Sequence, residues 1–229
     1  MPVLALTSVP SRFAALGPRL EALLGQRPQA LCLTIPRSFE RFPDWDGRLP
    51  ALPAGVTLYR ADDAGPATKF LTAFQMYPDR DVLLLDDDCT YGPGLLPAFR
   101  AARALHPEAA ISASVFDSAR LGLPSGYSIV QGFAGLMLRP DRLSPSVLTP
   151  DAPAQWVDDI WLSAHLALAG IEIVHYAEMR AHTQAHAAPD ALQDARLHGM
   201  TRAELNRTVA ADLRARFGIW QGDNACMQR

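Results

Sequence analysis

Apolar and polar positions along this chain follow two periods, and the periods alternate. Short apolar runs bounded by turn residues are separated by stretches with an apolar residue every three or four positions. Residues 3–7 form the first run, closed by Ser8, Val9 and Pro10. Ser11 is placed to cap a helix carrying Phe13, Leu16, Leu20, Leu23 and Leu24. Residues 30–35 and 56–59 read as the second and third strands. Between them, residues 37–53 are rich in proline, arginine and aromatics and read as an irregular loop. Residues 62–66 read as a turn, and Pro66 suits the first position of a helix over 67–76. Residues 81–85 are almost continuously apolar, the pattern of a buried parallel strand. A helix over 94–105, a strand over 109–116 and an interrupted strand over 127–138, broken at Gly132 and Gly135, follow. A helix over 157–169 is stopped by Gly170, and residues 171–176 form a last strand. The Pro-rich stretch 143–153 reads as a mobile loop, and residues 189–217 as a polar helix.

Strand and helix in alternation predict an α/β fold, with a mostly parallel sheet and helices on both faces. In such sheets ligands sit beyond the carboxyl ends of the strands. The chain has 229 residues, 49% of them apolar, enough for a substantial core in one domain. Within it, residues 1–90 and 91–180 read as two halves of the α/β unit and 181–229 as a helical appendage.

The formal net charge of −3 argues against a basic nucleic-acid surface, and leaves room for a small basic pocket for a diphosphate. Cys32, Cys89 and Cys226 are scattered, with no metal-knuckle or redox spacing, and read as reduced thiols. No apolar run reaches the ~18 residues of a membrane span, and the N-terminus lacks the pattern of a secretory signal. A cytoplasmic protein is expected, with peripheral membrane contact left open.

Candidate chemistry concentrates at a few points. Asp86, Asp87 and Asp88 end the fourth strand. Packed carboxylates raise each other's pKa unless a cation intervenes, and a hard divalent ion such as Mn²⁺ or Mg²⁺ takes oxygen ligands. In an extended segment Asp86 and Asp88 share one face, suited to a metal bridging a diphosphate. Asp158 and Asp159 open a helix between Trp156 and Trp161, where apolar surroundings favour a general base. Either pair also serves as a plain helix cap. Gly65, Pro66, Ala67, Thr68 and Lys69 offer a helix start and the chain's single lysine to an anion. Arg12 is placed to do the same after the first strand. His175, His182 and His186 are candidates to complete a metal shell.

In this order the pieces resemble the GT-A glycosyltransferases, in particular their inverting, family-2-like members. The segment Thr7-Ser8-Val9-Pro10 resembles their opening nucleotide-binding strand end. Asp63 to Lys69 is similar to their glycine-containing turn and helix, and Leu83 to Asp88 to the strand bearing their DxD motif. Gly132-Phe133-Ala134-Gly135 resembles the strand lining the sugar site, and Asp158-Asp159 with Leu162-Ser163 the catalytic-base segment. The resemblance covers residues 2–176. Trp161 and His165 stand where the family usually carries Asp and a basic residue, and the Gln-x-x-Arg-Trp motif of processive synthases is missing.

The resemblance implies transfer of one sugar from a nucleotide-sugar, UDP-sugar favoured, to a glycan or glycolipid, with inversion. Asp159 is then the base with Asp158 beside it. Asp86, Asp88 and His182 hold the metal, and Thr7, Arg12, Gly65, Thr68, Lys69, Asp86 and Asp87 face the donor. Two other readings stand beside it. One is a nucleotide-sugar or glycan-binding protein without turnover. The other is a haloacid-dehalogenase-like phosphatase, since Asp86 to Thr90 also matches the DxDxT signature.

Overall fold

The computed structural model describes residues 1–187, 190–192, 195–197 and 199–222. Its centre is a seven-stranded sheet. The edge order starts at β10 (Ile173–His175), then β6 (Ala110–Ser112), β9 (Leu136–Leu138) and β4 (Val82–Leu84). It continues through β1 (Val3–Thr7), β2 (Ala30–Pro36) and β3 (Val56–Ala61). Neighbours are parallel throughout except β9, which runs antiparallel to both β4 and β6. The α/β class and the mostly parallel sheet are therefore as expected.

Alternation along each strand divides the core in two. From β1, Val3 and Ala5 join Phe70, Phe74, Trp161 and Leu205 on one face. Leu4 and Leu6 join Leu16, Leu20, Leu96 and Phe99 on the other. Helices α2 (Thr68–Met76), α4 (Asp158–Leu168) and α5 (Arg202–Phe217) cover the first face; α1 (Phe13–Leu24) and α3 (Leu95–Leu105) cover the second. Among the described residues no helix is long and apolar enough to cross a membrane.

Local chemistry shifts several boundaries. Pro10–Arg12 and Gly65–Ala67 wind as 3₁₀ turns before α1 and α2, so Ser11 caps nothing and Pro66 sits in the preceding turn. The 109–116 strand is two strands, β6 and β7 (Val115–Asp117). Likewise 127–138 divides into β8 (Ser128–Val130), which pairs with β7, and β9, with a 3₁₀ turn at Gly132–Ala134 between them. The break at Gly135 has a steric cause. Its φ is +108°, and a Cβ there would lie 2.8 Å from the Phe99 ring. The stretch 143–153 is pinned: Leu143 and Val147 are buried, and the Val147 carbonyl accepts from the Trp161 indole at 2.9 Å. Gly170 is left-handed (φ +65°) after α4, as its position predicted.

The C-terminal region is not one helix. Pro189 lies outside the described residues. Beyond it, a short hairpin of β12 (Arg196–Leu197) and β13 (Met200–Thr201) precedes α5. Thr201 and Glu204 close a capping box there, the side chain of each meeting the backbone N–H of the other.

Helices α4 and α5 meet through His165, which packs on Trp161 (ring centroids 4.5 Å) and on Phe217 (5.3 Å). His165 is 1% exposed, and neither ring nitrogen has a hydrogen-bond partner among the described residues. Burial, with a small push from Arg216, lowers its pKa from 6.5 to about 4. The unfolded chain therefore takes up a proton between those values that the folded protein refuses, so stability is lost as pH falls below 6.5. The His165→Leu variant should lose less Tm than the wild type between pH 7 and pH 5. Calorimetric melting across that range checks it; an unchanged pH slope refutes it.

Candidate functional site

A cavity of about 480 Å³ opens at the carboxyl ends of β1 and β4. Its lining includes Thr7, Arg12, Gly65, Lys69, Asp86, Asp87, Asp88, Asp158 and Asp159. Separate stretches of sequence thus meet where an α/β sheet places its ligands.

The acidic run does not continue the strand. β4 stops at Leu84, and Asp87 and Asp88 turn into β5 (Cys89–Tyr91). The turn sends the carboxylates to different partners. Asp87, 6% exposed, accepts from Ser8 Oγ at 2.5 Å and from Arg12 at 2.6 Å, while Arg19 donates to its carbonyl. Asp86 and Asp88 remain a third open to the cavity, so they share it for a reason other than strand alternation. Arg12 also reaches Asp88 at 3.2 Å. Tyr91 braces the turn, accepting from the Asp86 N–H (2.8 Å) and donating to the Phe133 carbonyl (2.8 Å).

Lys69, 3% exposed, crosses the cavity floor. Its ammonium lies 2.5 Å from Asp86 and 3.0 Å from Asp158, the latter off the hydrogen-bond axis. Burial opposes its charge, but Asp158, Asp86 and Asp159 overcome that and hold its pKa well above the ordinary value. Asp159 receives the N–H of Gly132 at 2.8 Å. Burial, then the charge of Asp158, pushes its pKa up to about 7, with Lys69 pulling the other way. Burial also raises Asp86 and Asp87.

Two predicted contacts are not brought to the cavity. Thr68 is buried, and its hydroxyl accepts the Ala64 N–H at 3.0 Å, so it stabilises the turn rather than facing a ligand. The His182 ring packs on Gly94, where an added Cβ would meet it at 2.4 Å, and it does not line the cavity. It is His186 that arrives there. β11 (Thr183–Ala185) pairs antiparallel with β5, and His186 donates its N–H to the Asp88 carbonyl at 2.9 Å while its ring meets Thr90 at 2.7 Å. Thr7 lines the cavity, although its hydroxyl is engaged by the Thr34 carbonyl at 2.8 Å.

Sequence reasoning missed two walls. Phe39, Arg41 and Phe42, from the loop after β2, form one, and Arg41 donates to the Asp190 carbonyl at 2.9 Å. The other includes Arg202, at the start of α5, which donates to the Trp156 carbonyl. The capping-box pattern of Thr201 to Glu204 marks that helix start in the sequence; nothing local marks the loop.

Among the described residues no three His, Cys, Asp or Glu side chains form a ready metal cage. Hard divalent ions are often held by one or two carboxylates together with substrate phosphates. Asp86 and Asp88 offer oxygen donors of that type. One Asp86 oxygen takes Lys69, and the Asp86 side chain stays partly open. The donor set therefore fits an ion shared with a ligand, not one caged by protein.

No protein-family model matches the chain, and no curated protein matches it.

Gly65 joins the two acidic groups sterically. It is left-handed (φ +54°), and a Cβ there would lie 2.5 Å from the Trp156 ring, two residues before Asp158. Gly65→Ala should displace Trp156 and destabilise the protein by about 1–3 kcal/mol, the usual range for overpacking. Denaturant unfolding measures it; a change below ~0.5 kcal/mol would mean the contact yields freely.

Burial of Asp159 beside the charge of Asp158 gives a second test. Asp159 has a folded pKa of about 7 against an ordinary 3.8. The folded state holds this proton more tightly, so ionisation weakens folding as pH rises from about 4 to 7. The Tm of Asp159→Asn relative to wild type should therefore rise between pH 5 and pH 8. A constant difference across that range refutes the raised pKa.

Proposed function

We propose that the chain is a metal-dependent glycosyltransferase of the GT-A type. It would move one sugar from a nucleotide-sugar, UDP-sugar favoured, to a glycan or glycolipid hydroxyl. One observation carries this reading: the acidic turn after β4 and the acid pair opening α4 face one cavity, joined by Lys69. The first supplies a diphosphate side, the second a base. The mostly parallel sheet with helices on both faces is compatible with this reading.

Charge supports the metal. The described lining carries Asp63, Asp86, Asp87, Asp88, Asp158 and Asp159 against Arg12, Arg41, Lys69 and Arg202. A diphosphate entering this acidic setting is repelled unless a cation accompanies it. Asp88 and Asp86 would hold that ion, which when bound neutralises the leaving diphosphate. Arg12 keeps Asp87 and Asp88 in place beside it.

In the proposed reaction Asp159 takes the proton of the acceptor hydroxyl. The acceptor oxygen bonds to the anomeric carbon as the bond from that carbon to the phosphate oxygen breaks. The electron pair leaves with the nucleoside diphosphate, and configuration inverts. A pKa near 7 suits a base at neutral pH. The Gly132 N–H fixes one carboxylate oxygen and leaves the other for the acceptor.

The phosphatase reading gains one observation, the contact of Lys69 with Asp86, because such an enzyme also needs a cation on its nucleophile. Turnover of a generic phosphoester separates the two.

The deciding measurement is calorimetric titration of UDP with and without Mn²⁺, on wild type and Asp88→Ala. Binding should need the ion and weaken at least tenfold in the variant. GDP and dTDP follow if UDP fails, and no nucleotide binding with metal present refutes the proposal. In donor hydrolysis Asp159→Asn should lose ~10²–10⁴-fold, the usual worth of general-base help, and the wild-type rate should fall as pH drops below 7.

A further inference from the structure

The cavity cations are not equally engaged. Arg12 is ion-paired with Asp87 and Asp88, and Lys69 with Asp86 and Asp158. Neither Arg41 nor Arg202 has a carboxylate within ion-pair distance among the described residues; Arg41 is on the wall from the loop after β2, and Arg202 alone is tied to the segment leading into α4. One of its terminal nitrogens donates to the Trp156 carbonyl. A guanidinium carries five N–H donors in a rigid fork, and Arg202 lines the cavity. Burial lowers the Arg202 pKa; Asp158, Asp159 and Asp86 counter it, in that order. Its bond to the Trp156 carbonyl, two residues before Asp158, sets Arg202 on the α4 side of the cavity.

A guanidinium held this way is an unfinished site. Its desolvation is only partly offset, and its fork matches a carboxylate or phosphate in two-point contact. Because Arg202 lines the same cavity as Asp159, from the α4 side, it can hold such an anion near the hydroxyl that Asp159 would deprotonate. We propose that Arg202 selects an acceptor carrying an anionic group, a carboxylate or phosphate, close to its reacting hydroxyl. This rests on the glycosyltransferase reading and narrows its acceptor to an acidic sugar or a phosphorylated one. Phe133, whose ring carries Arg180 on one side at 5.1 Å, offers an apolar wall for the sugar ring nearby.

The test uses the full chain loaded with UDP and Mn²⁺. Glucuronic acid, glucose 6-phosphate and neutral glucose are titrated separately into wild type, Arg202→Met and Arg202→Lys. Wild type should bind one of the anionic sugars at least fivefold more tightly than glucose, and which one names the anion. Arg202→Met should abolish that preference, and Arg202→Lys should keep part of it, because charge survives while the fork is lost. UDP affinity should stay within about threefold in both variants. Two outcomes overturn the inference: no anion preference in wild type, or UDP binding that falls in Arg202→Met as far as sugar binding does. The second would assign Arg202 to the diphosphate. Should Arg202→Met not fold, wild type and Arg202→Lys still decide it. Failure of wild type to bind any nucleotide instead refutes the underlying reading.

Discussion

The site depends on one buried ammonium. Lys69 is the chain's only lysine, and it sits between a carboxylate from the end of β4 and one from the start of α4. Without it, Asp86, Asp158 and Asp159 would face each other in a poorly solvated space, and some would have to bind protons to stay folded. With it, two acidic groups about seventy residues apart in sequence become one cluster. Such an arrangement gives little net stability, since desolvation consumes much of the Coulomb gain. What it gives is position. The strand end cannot shift relative to the helix start without leaving a charge unpaired.

Around that pair the backbone is fixed by neutral contacts. Gly65 admits the Trp156 ring, the Gly132 N–H holds Asp159, and Tyr91 ties Asp86 to the turn at Phe133. Each of these reaches across the cavity from a different element. Rigidity of this kind would serve the proposed transfer, in which a base and a leaving group sit on opposite sides of one carbon. Asp87 contributes by being spent: Ser8 and Arg12 absorb its charge, so its neighbours alone turn to the cavity.

Legibility in the sequence followed sequence distance. The buried strands β1, β2 and β4 show as apolar runs because both faces are covered, and α4 shows through its periodicity and its Gly170 stop. The acidic turn and the acid pair were visible because carboxylates clustered beside apolar runs are costly without a purpose. Pairing of β11 with β5 joins residues about ninety apart, and no local pattern encodes it. That pairing delivers His186, not His182, to the cavity, since register along the strand decides which side chain arrives. The 3₁₀ turns were missed for a related reason. Pro10 and Pro66 satisfy both a helix start and a tighter turn, and packing chooses between them.

The C-terminal segment shows why a surface-like pattern misleads. Its polar, arginine-rich sequence reads as a solvated helix, yet Leu205, Val209 and Leu213 of α5 are buried against α4. The same packing brings Arg202 into the cavity and sets His165 between Trp161 and Phe217. Helix α4 is therefore held at both ends: Lys69 and Arg202 near its acids, and an aromatic joint further along. A shift of α5 would move the guanidinium and the helix carrying Asp159 together. The C-terminal region is thus part of the site rather than an addition to it.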